Sequence, residues 1–116
     1  MLTIAEKNDA IRHKLSFSIL AGIPLKTRHK LIFSLNVGET ASSDKNAFRG
    51  ILESLSAHSD FSENDTYQEH DFGKFTFGAK DYFFKFDYYD QDLCYWSDPK
   101  EENTRHVLTV MEASEY

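Results

Sequence analysis

The sequence predicts an α+β fold, with two helices packed on one face of a small antiparallel sheet that contains a C-terminal hairpin. Three stretches carry this expectation. Residues 44–58 place Ala47, Phe48, Ile51, Leu52 and Leu55 at i, i+1, i+4, i+5 and i+8, the stripe of an amphipathic helix. Residues 72–89 hold two strand-like runs, FGKFTF and DYFFKFDYY, with Gly78, Ala79, Lys80 and Asp81 at the junction, which reads as a hairpin. The last run, TRHVLTVMEASEY, is dominated by β-branched residues and reads as a strand, a short helix from Thr104 being the alternative. A chain of 116 residues is expected to form one domain, 1–116, with a modest core.

In chain order, Thr3 and Glu6 fit a capping box, each side chain satisfying a free N–H at the other position. Ile4, Ile11 and Leu15 recur on one face, so a helix is expected over 4–15. His13 then sits near its C-terminal end, where the helix dipole favours positive charge. Gly22 and Pro24 break regularity and imply a loop. Leu31, Phe33 and Leu35 alternate against Ile32 and Ser34, a strand over 30–36. GETASSD reads as a turn, and Ser43 is placed to cap the second helix, which tolerates Gly50 at some cost. SENDTYQ is a polar loop, and residues 90–103, DQDLCYWSDPKEEN, form a long acidic one.

With Ala79 and Lys80 as the loop of the hairpin, Phe77 faces Tyr82, Phe75 faces Phe84, Gly73 faces Phe86 and Asp71 faces Tyr88. That face is almost wholly aromatic and should pack on the helices. The other face pairs Thr76 with Phe83, Lys74 with Lys85, Phe72 with Asp87 and His70 with Tyr89, leaving His70 diagonal to Asp87.

Charge is uneven. Residues 1–58 carry eight Lys/Arg against five Asp/Glu, or +3; residues 59–116 carry five against fourteen, or −9. Such an acidic half repels nucleic-acid phosphates and attracts basic surfaces, so direct nucleic-acid binding is not expected. KTRHK, residues 26–30, is the one basic concentration and reads as a solvated loop. Apolar residues make up 41% and aromatic residues 15%, too many for a disordered chain. No long uncharged apolar run suggests a membrane span, and MLTIAEKND lacks a signal-peptide layout. A lone Cys94 makes neither an internal disulfide nor a multi-thiolate zinc site, which suits a reducing, cytoplasmic setting.

Five stretches have a familiar pattern. Asn8, Asp9 and Arg12 match an early Asn-Asp-x-x-Arg, and Asp60-Phe61 partly matches a Phe-x-x-Phe patch. Residues 64–73, NDTYQEHDFG, match Asn-Asp-Pro-x-x-Glu-His-Asp-Phe-Gly, with Thr66 in place of proline. Lys-Ile-Asp-Tyr-Tyr-Asp appears as KFDYYD, residues 85–90, and Thr-x-Arg-Val-Leu-Thr-Ile-Met-x-Ala-x-Glu-Tyr appears as TRHVLTVMEASEY, with His106 in place of the arginine. In these motifs the chain resembles a family of small bacterial proteins known as a domain of unknown function, common on alphaproteobacterial chromosomes and plasmids. The resemblance spans the chain after residue 60 and is looser before it, where residues 17–28 depart from the family's shorter link. It implies a single domain and a bacterial, cytosolic origin associated with mobile elements. It implies no mechanism.

Two functional readings follow from the residues. Tyr89, Tyr95 and Trp96 lie among Asp90, Asp92 and Asp98, aromatics with acidic neighbours that suit docking of a basic protein surface. Tyr88 points inward and is expected to be core. A partner that binds nucleic acid would be met by mimicry of DNA phosphates, as in anti-restriction and anti-CRISPR inhibitors. The rival reading is a metal-dependent hydrolase. Glu69, His70, Asp71 and Asp87 offer oxygen and imidazole ligands, and His70 beside Asp87 has the arrangement of a base and its orienting carboxylate, with Lys85 and Glu69 close by. Against it, Glu69 and Asp71 share one strand face while His70 points to the other, and no serine or cysteine nucleophile is placed nearby. No glycine-rich phosphate loop is present and no cofactor is expected, since Gly73 and Gly78 read as hairpin punctuation.

Overall fold

The computed structural model describes residues 2–24, 27–61 and 67–116, so SENDTYQ lies outside the described residues at positions 62–66. The elements run α1 (Ile4–Leu20), β1 (Lys30–Phe33), α2 (Leu35–Ser43), α3 (Lys45–Ala57), β2 (Phe72–Phe77), β3 (Lys80–Tyr89) and β4 (Arg105–Glu112), ending in a 3₁₀ turn, Ala113–Glu115. The fold is α+β as expected, but with three helices in place of two.

The capping box of α1 forms: Glu6 N–H donates to Thr3 Oγ1 at 3.1 Å, and Thr3 N–H to Glu6 Oε1 at 3.0 Å. The helix runs past the expected residue 15 to Leu20, because Leu15 and Ser16 are fully buried and packing overrides the weak helix propensity of SFS. It stops at Gly22, whose φ of +70° lets Ile23 N–H reach Ser18 O and Gly22 N–H reach Ile19 O. His13 is therefore mid-helix. Burial, then Arg12, hold its pKa below the ordinary imidazole value, contrary to the expected dipole effect.

The expected strand over 30–36 ends at Phe33, and the GETASSD turn is helical instead. Ser34 Oγ accepts from Val37 N–H at the start of α2. The Glu115 carboxylate completes that end, accepting from Ser34 Oγ at 2.6 Å and Asn36 N–H at 3.1 Å. A carboxylate at a helix N-terminus is favoured by the dipole, but this one arrives from the far end of the chain. Asp44, not Ser43, caps α3, accepting from Ala47 N–H at 3.1 Å.

The sheet order is β1-β4-β3-β2. β2–β3 and β3–β4 are antiparallel, but β1 runs parallel to β4, so the wholly antiparallel sheet is corrected to a mixed one. Insertion between β1 and β3 makes β4 central. It is buried on both faces, with His106, Leu108 and Val110 on one and Val107 and Met111 on the other. The strand reading of residues 104–112 therefore holds.

The hairpin turns at Gly78 and Ala79, with φ of +59° and +65°, and not at Ala79 and Lys80. Two positive φ values in a two-residue loop match the twist of the flanking strands. Pairing shifts by two residues: Phe75 faces Tyr82, Gly73 faces Phe84 and Phe72 faces Lys85. An even shift leaves every side chain on its expected face. The core accordingly joins Phe75, Tyr82, Phe84, Phe86, Tyr88, Leu108 and Val110 from one sheet face with Leu15, Val37, Ile51, Leu52 and Leu55 from the helices.

Gly73 is more than punctuation. A Cβ there would overlap the fully buried Phe84 ring and crowd His58 Nε2. Gly73→Ala is expected to lower stability by about 1–3 kcal/mol through overpacking, read as a reduced urea midpoint with unchanged slope.

Candidate functional site

Asn8, Asp9 and Arg12 lie within four residues on α1 and organise the polar interior. Arg12 is 1% exposed. Its Nη1 donates to Leu55 O at 2.5 Å and Ser56 O at 3.0 Å, two orphan carbonyls at the C-terminal end of α3. Nη2 donates to Asp9 Oδ1 at 3.1 Å. The guanidinium lies over the Phe61 and Phe84 rings, 5.6 and 5.4 Å from their centroids. Burial pulls its pKa down, while Asp9 opposes the shift.

Asp9 also binds His70. Both carboxylate oxygens lie 3.0 Å from His70 Nδ1, and the His70 ring stacks on Phe61 at 3.8 Å with a 2° tilt. The expected His70–Asp87 pair is thus corrected. The positive φ of His70, +54°, places it before β2 begins and turns it toward α1. Asp87 lies on the outward face of β3 and pairs with Lys85 at 3.1 Å. Lys85 is in turn separated from His70. Glu69 and Asp71 flank His70, but Glu69 Oε1 accepts from Tyr88 Oη at 3.0 Å. Among the described residues, no group of three His, Cys, Asp or Glu is arranged to hold a metal ion.

Asn8 connects the second half of the network. Its Nδ2 donates to Glu69 O at 3.0 Å and Tyr88 Oη at 2.9 Å, which leaves Oδ1 to accept from His106 Nδ1 at 2.7 Å. His106 is therefore a neutral Nδ1–H tautomer, and its Nε2 carries the lone pair. His106 N–H donates to His29 Nδ1 at 3.0 Å, so His29 carries its proton on Nε2. The rings meet edge to face at 5.0 Å. Burial, followed by neighbouring positive charge, lowers both histidines to a pKa of about 4. Burial also raises the Tyr88 phenol, which stays protonated as the donor to Glu69.

The acidic loop is a separate feature. Asp90 N–H donates to Tyr95 O at 2.9 Å, Leu93 N–H to Asp90 O at 3.1 Å, and Asp90 Oδ1 accepts from Cys94 N–H at 3.0 Å. Tyr89 bridges to Trp96, so β3 turns tightly and returns for one bridge. Ser97 and Thr104 hydroxyls meet at 2.6 Å, and Thr104 Oγ1 donates to Asp98 O. Tyr95 and Trp96 are 76% and 70% exposed on this pinned frame, Asp92 is exposed, and Asp98 is half-buried. Tyr88 is buried, as its inward register required.

A family model described as "Protein of unknown function (DUF3768)" matches residues 37–115. The chain belongs to this family. No curated protein and no solved structure matches it. The DUF3768 match takes in α3, the hairpin, the acidic loop and β4, and therefore Leu55, His70, Tyr88 and His106; α1 with Asn8, Asp9 and Arg12 precedes it. The network thus joins the matched region to the helix before it.

Sequence reasoning noted Asn8, Asp9 and Arg12 only as a motif, and gave no role to His29 or His106. The Asn-Asp-x-x-Arg spacing was the available signal: i and i+4 put Asn8 and Arg12 on one helix face, beside Ile11 and Leu15, where polar side chains need partners.

Two outcomes are expected. Arg12→Met leaves the α3 carbonyls without their donor and takes one of the two partners of Asp9 away, and should cost about 3–5 kcal/mol in denaturant unfolding. For His29 and His106, the unfolded chain takes up protons near pH 6.5 and the folded chain only near 4. The unfolded state binds more protons between these values, so stability should fall as pH drops from about 6.5 toward 4. Thermal melts across that range should show the loss, with a shallower slope in His106→Gln.

Proposed function

We propose that the protein is a small, non-enzymatic binding module whose acidic loop docks a basic surface on a partner protein. The observation that carries this reading is the exposure of Tyr95 and Trp96 on a hydrogen-bonded loop. Large aromatics are usually buried where packing allows, and rigid exposed ones are the common anchors of interfaces. Residues 90–103 surround them with Asp90, Asp92, Asp98, Glu101 and Glu102 against the single Lys100. Asp90 and Asp98 each use one carboxylate oxygen within the loop, accepting from Cys94 N–H and Lys100 N–H, and Asp92 is exposed beside them; these three offer the negative charge to a partner, with Tyr89 beside Trp96.

Charge complementarity selects the partner: a basic patch is attracted to this surface and an acidic or nucleic-acid surface is repelled. In its sharpest form the loop occupies the phosphate-binding face of a nucleic-acid-binding protein. The core supports the layout, since its sheet residues share one face, which suits a helical layer there and docking elsewhere. The proposed setting is the cytoplasm, where exposed Cys94 stays reduced. No described helix is long and apolar enough to cross a membrane.

The test is capture from host lysate by the wild type, by Trp96→Ala and by Asp92→Asn with Asp98→Asn. A partner should be retained by the wild type, be lost with Trp96→Ala, and weaken in the Asn variant and with rising salt, because exposed charges are screened. Elution by duplex DNA would assign the nucleic-acid-binding partner. Capture that survives both variants and high salt would sink the acidic-docking reading.

A further inference from the structure

The cations of this acidic protein are unevenly placed. Lys7 and Lys14 on α1 and Arg28 before β1 make no ion pair among the described residues. Between α1 and residues 27–29 lies a cavity of about 470 Å³, lined by Ala10, Ile11, Lys14, Leu15, Arg28 and His29, with Thr27 at its rim. Its volume is within the range of small-molecule sites. The chemistry divides by wall. Ala10 and Ile11 on α1 supply apolar surface above the buried Leu15, while Lys14 and Arg28 supply charge. Among the described residues no carboxylate lines this cavity; Glu101 and Glu102 border the smaller, adjoining one of about 240 Å³.

His29 lines the same cavity and adds a donor. Its Nδ1 is occupied by His106 N–H, so the neutral ring must present Nε2–H, which has no acceptor among the described residues. That ring is kept neutral by burial first, then by Arg28, Arg105 and Lys14. Arg105 Nε donates to Arg28 O at 2.7 Å, and Arg28 Nη2 donates to Glu102 O, which ties this segment to β4 and the loop before it.

We propose that this cavity binds a small organic oxyanion, its charged head held by Lys14, Arg28 and the His29 Nε2–H and its apolar body resting on Ala10 and Ile11. A bare oxyanion would leave the apolar wall wet, and a neutral apolar molecule would leave two cations unpaired, so both parts of the ligand are required.

Chemical-shift titration of the intact protein tests this with benzoate and phenyl phosphate, and with acetate and inorganic phosphate as partners lacking the apolar body. Saturable shifts at His29 and Ile11 are expected with at least one aromatic anion, which should bind more tightly than its small counterpart. Which aromatic anion wins assigns carboxylate or phosphate. Lys14→Glu and Arg28→Gln, both at exposed positions, should keep the amide spectrum of the fold and weaken binding about tenfold or more. The proposal is overturned if neither aromatic anion gives a saturable shift at about 20 mM. It is equally overturned if the small anions bind as tightly, or if both folded variants bind like the wild type.

Discussion

A buried arginine that must be satisfied is the constraint on which the rest of this structure depends. Arg12 cannot lose its charge in the interior, so its donors need acceptors where water is absent. The last turn of α3 offers two carbonyls, and Asp9 adds a carboxylate one helical turn away. This fixes the spacing of α1 and α3 more narrowly than apolar contact would, because hydrogen bonds are directional and dispersion is not. Breaking it strands groups on both helices at once.

Asp9 carries the constraint onward. With one oxygen on Arg12 and both within reach of His70, it draws the segment before β2 against α1, and Phe61 closes over the imidazole. Asn8 does the same for the other end of the sheet, linking β3 through Tyr88 and β4 through His106. Six residues from four parts of the chain thereby form a polar seam beneath an otherwise apolar core. A seam of this kind specifies one arrangement, because a slipped strand would leave several of its groups unpaired. One atom, Arg12 Nε, has no partner among the described residues, a local cost offset by the ring faces on either side.

Function is then a matter of what the seam leaves outside. The acidic loop is held by its own backbone bonds and by Thr104, yet holds two aromatics in water. Lys14 and Arg28 line the α1 cleft, and Arg28 meets the acidic loop at Glu102 O. Acidic and basic groups adjoin at the smaller cavity, which Lys7 and Arg28 line together with Glu101 and Glu102.

The sequence by itself determined what depends on local periodicity. The capping box at Thr3, the stripe of α3, both hairpin strands and their faces, the β-branched last strand and the inward Tyr88 were all legible, since each follows from 3.6- or 2-residue repeats. Even the two-residue register error kept the faces, because period two is indifferent to even shifts. Tertiary structure decided everything that needs a distant partner. α2 was hidden because Glu115 completes its N-terminal cap from the other end of the chain. The parallel pairing of β1 was hidden because strand order leaves no trace in a strand's own pattern. His70 was assigned to Asp87 by extending the hairpin register to it, whereas a positive φ turned it to Asp9, sixty-one residues away. A side chain's face can be read from its neighbours in the chain, but its hydrogen-bond partner is chosen by the fold.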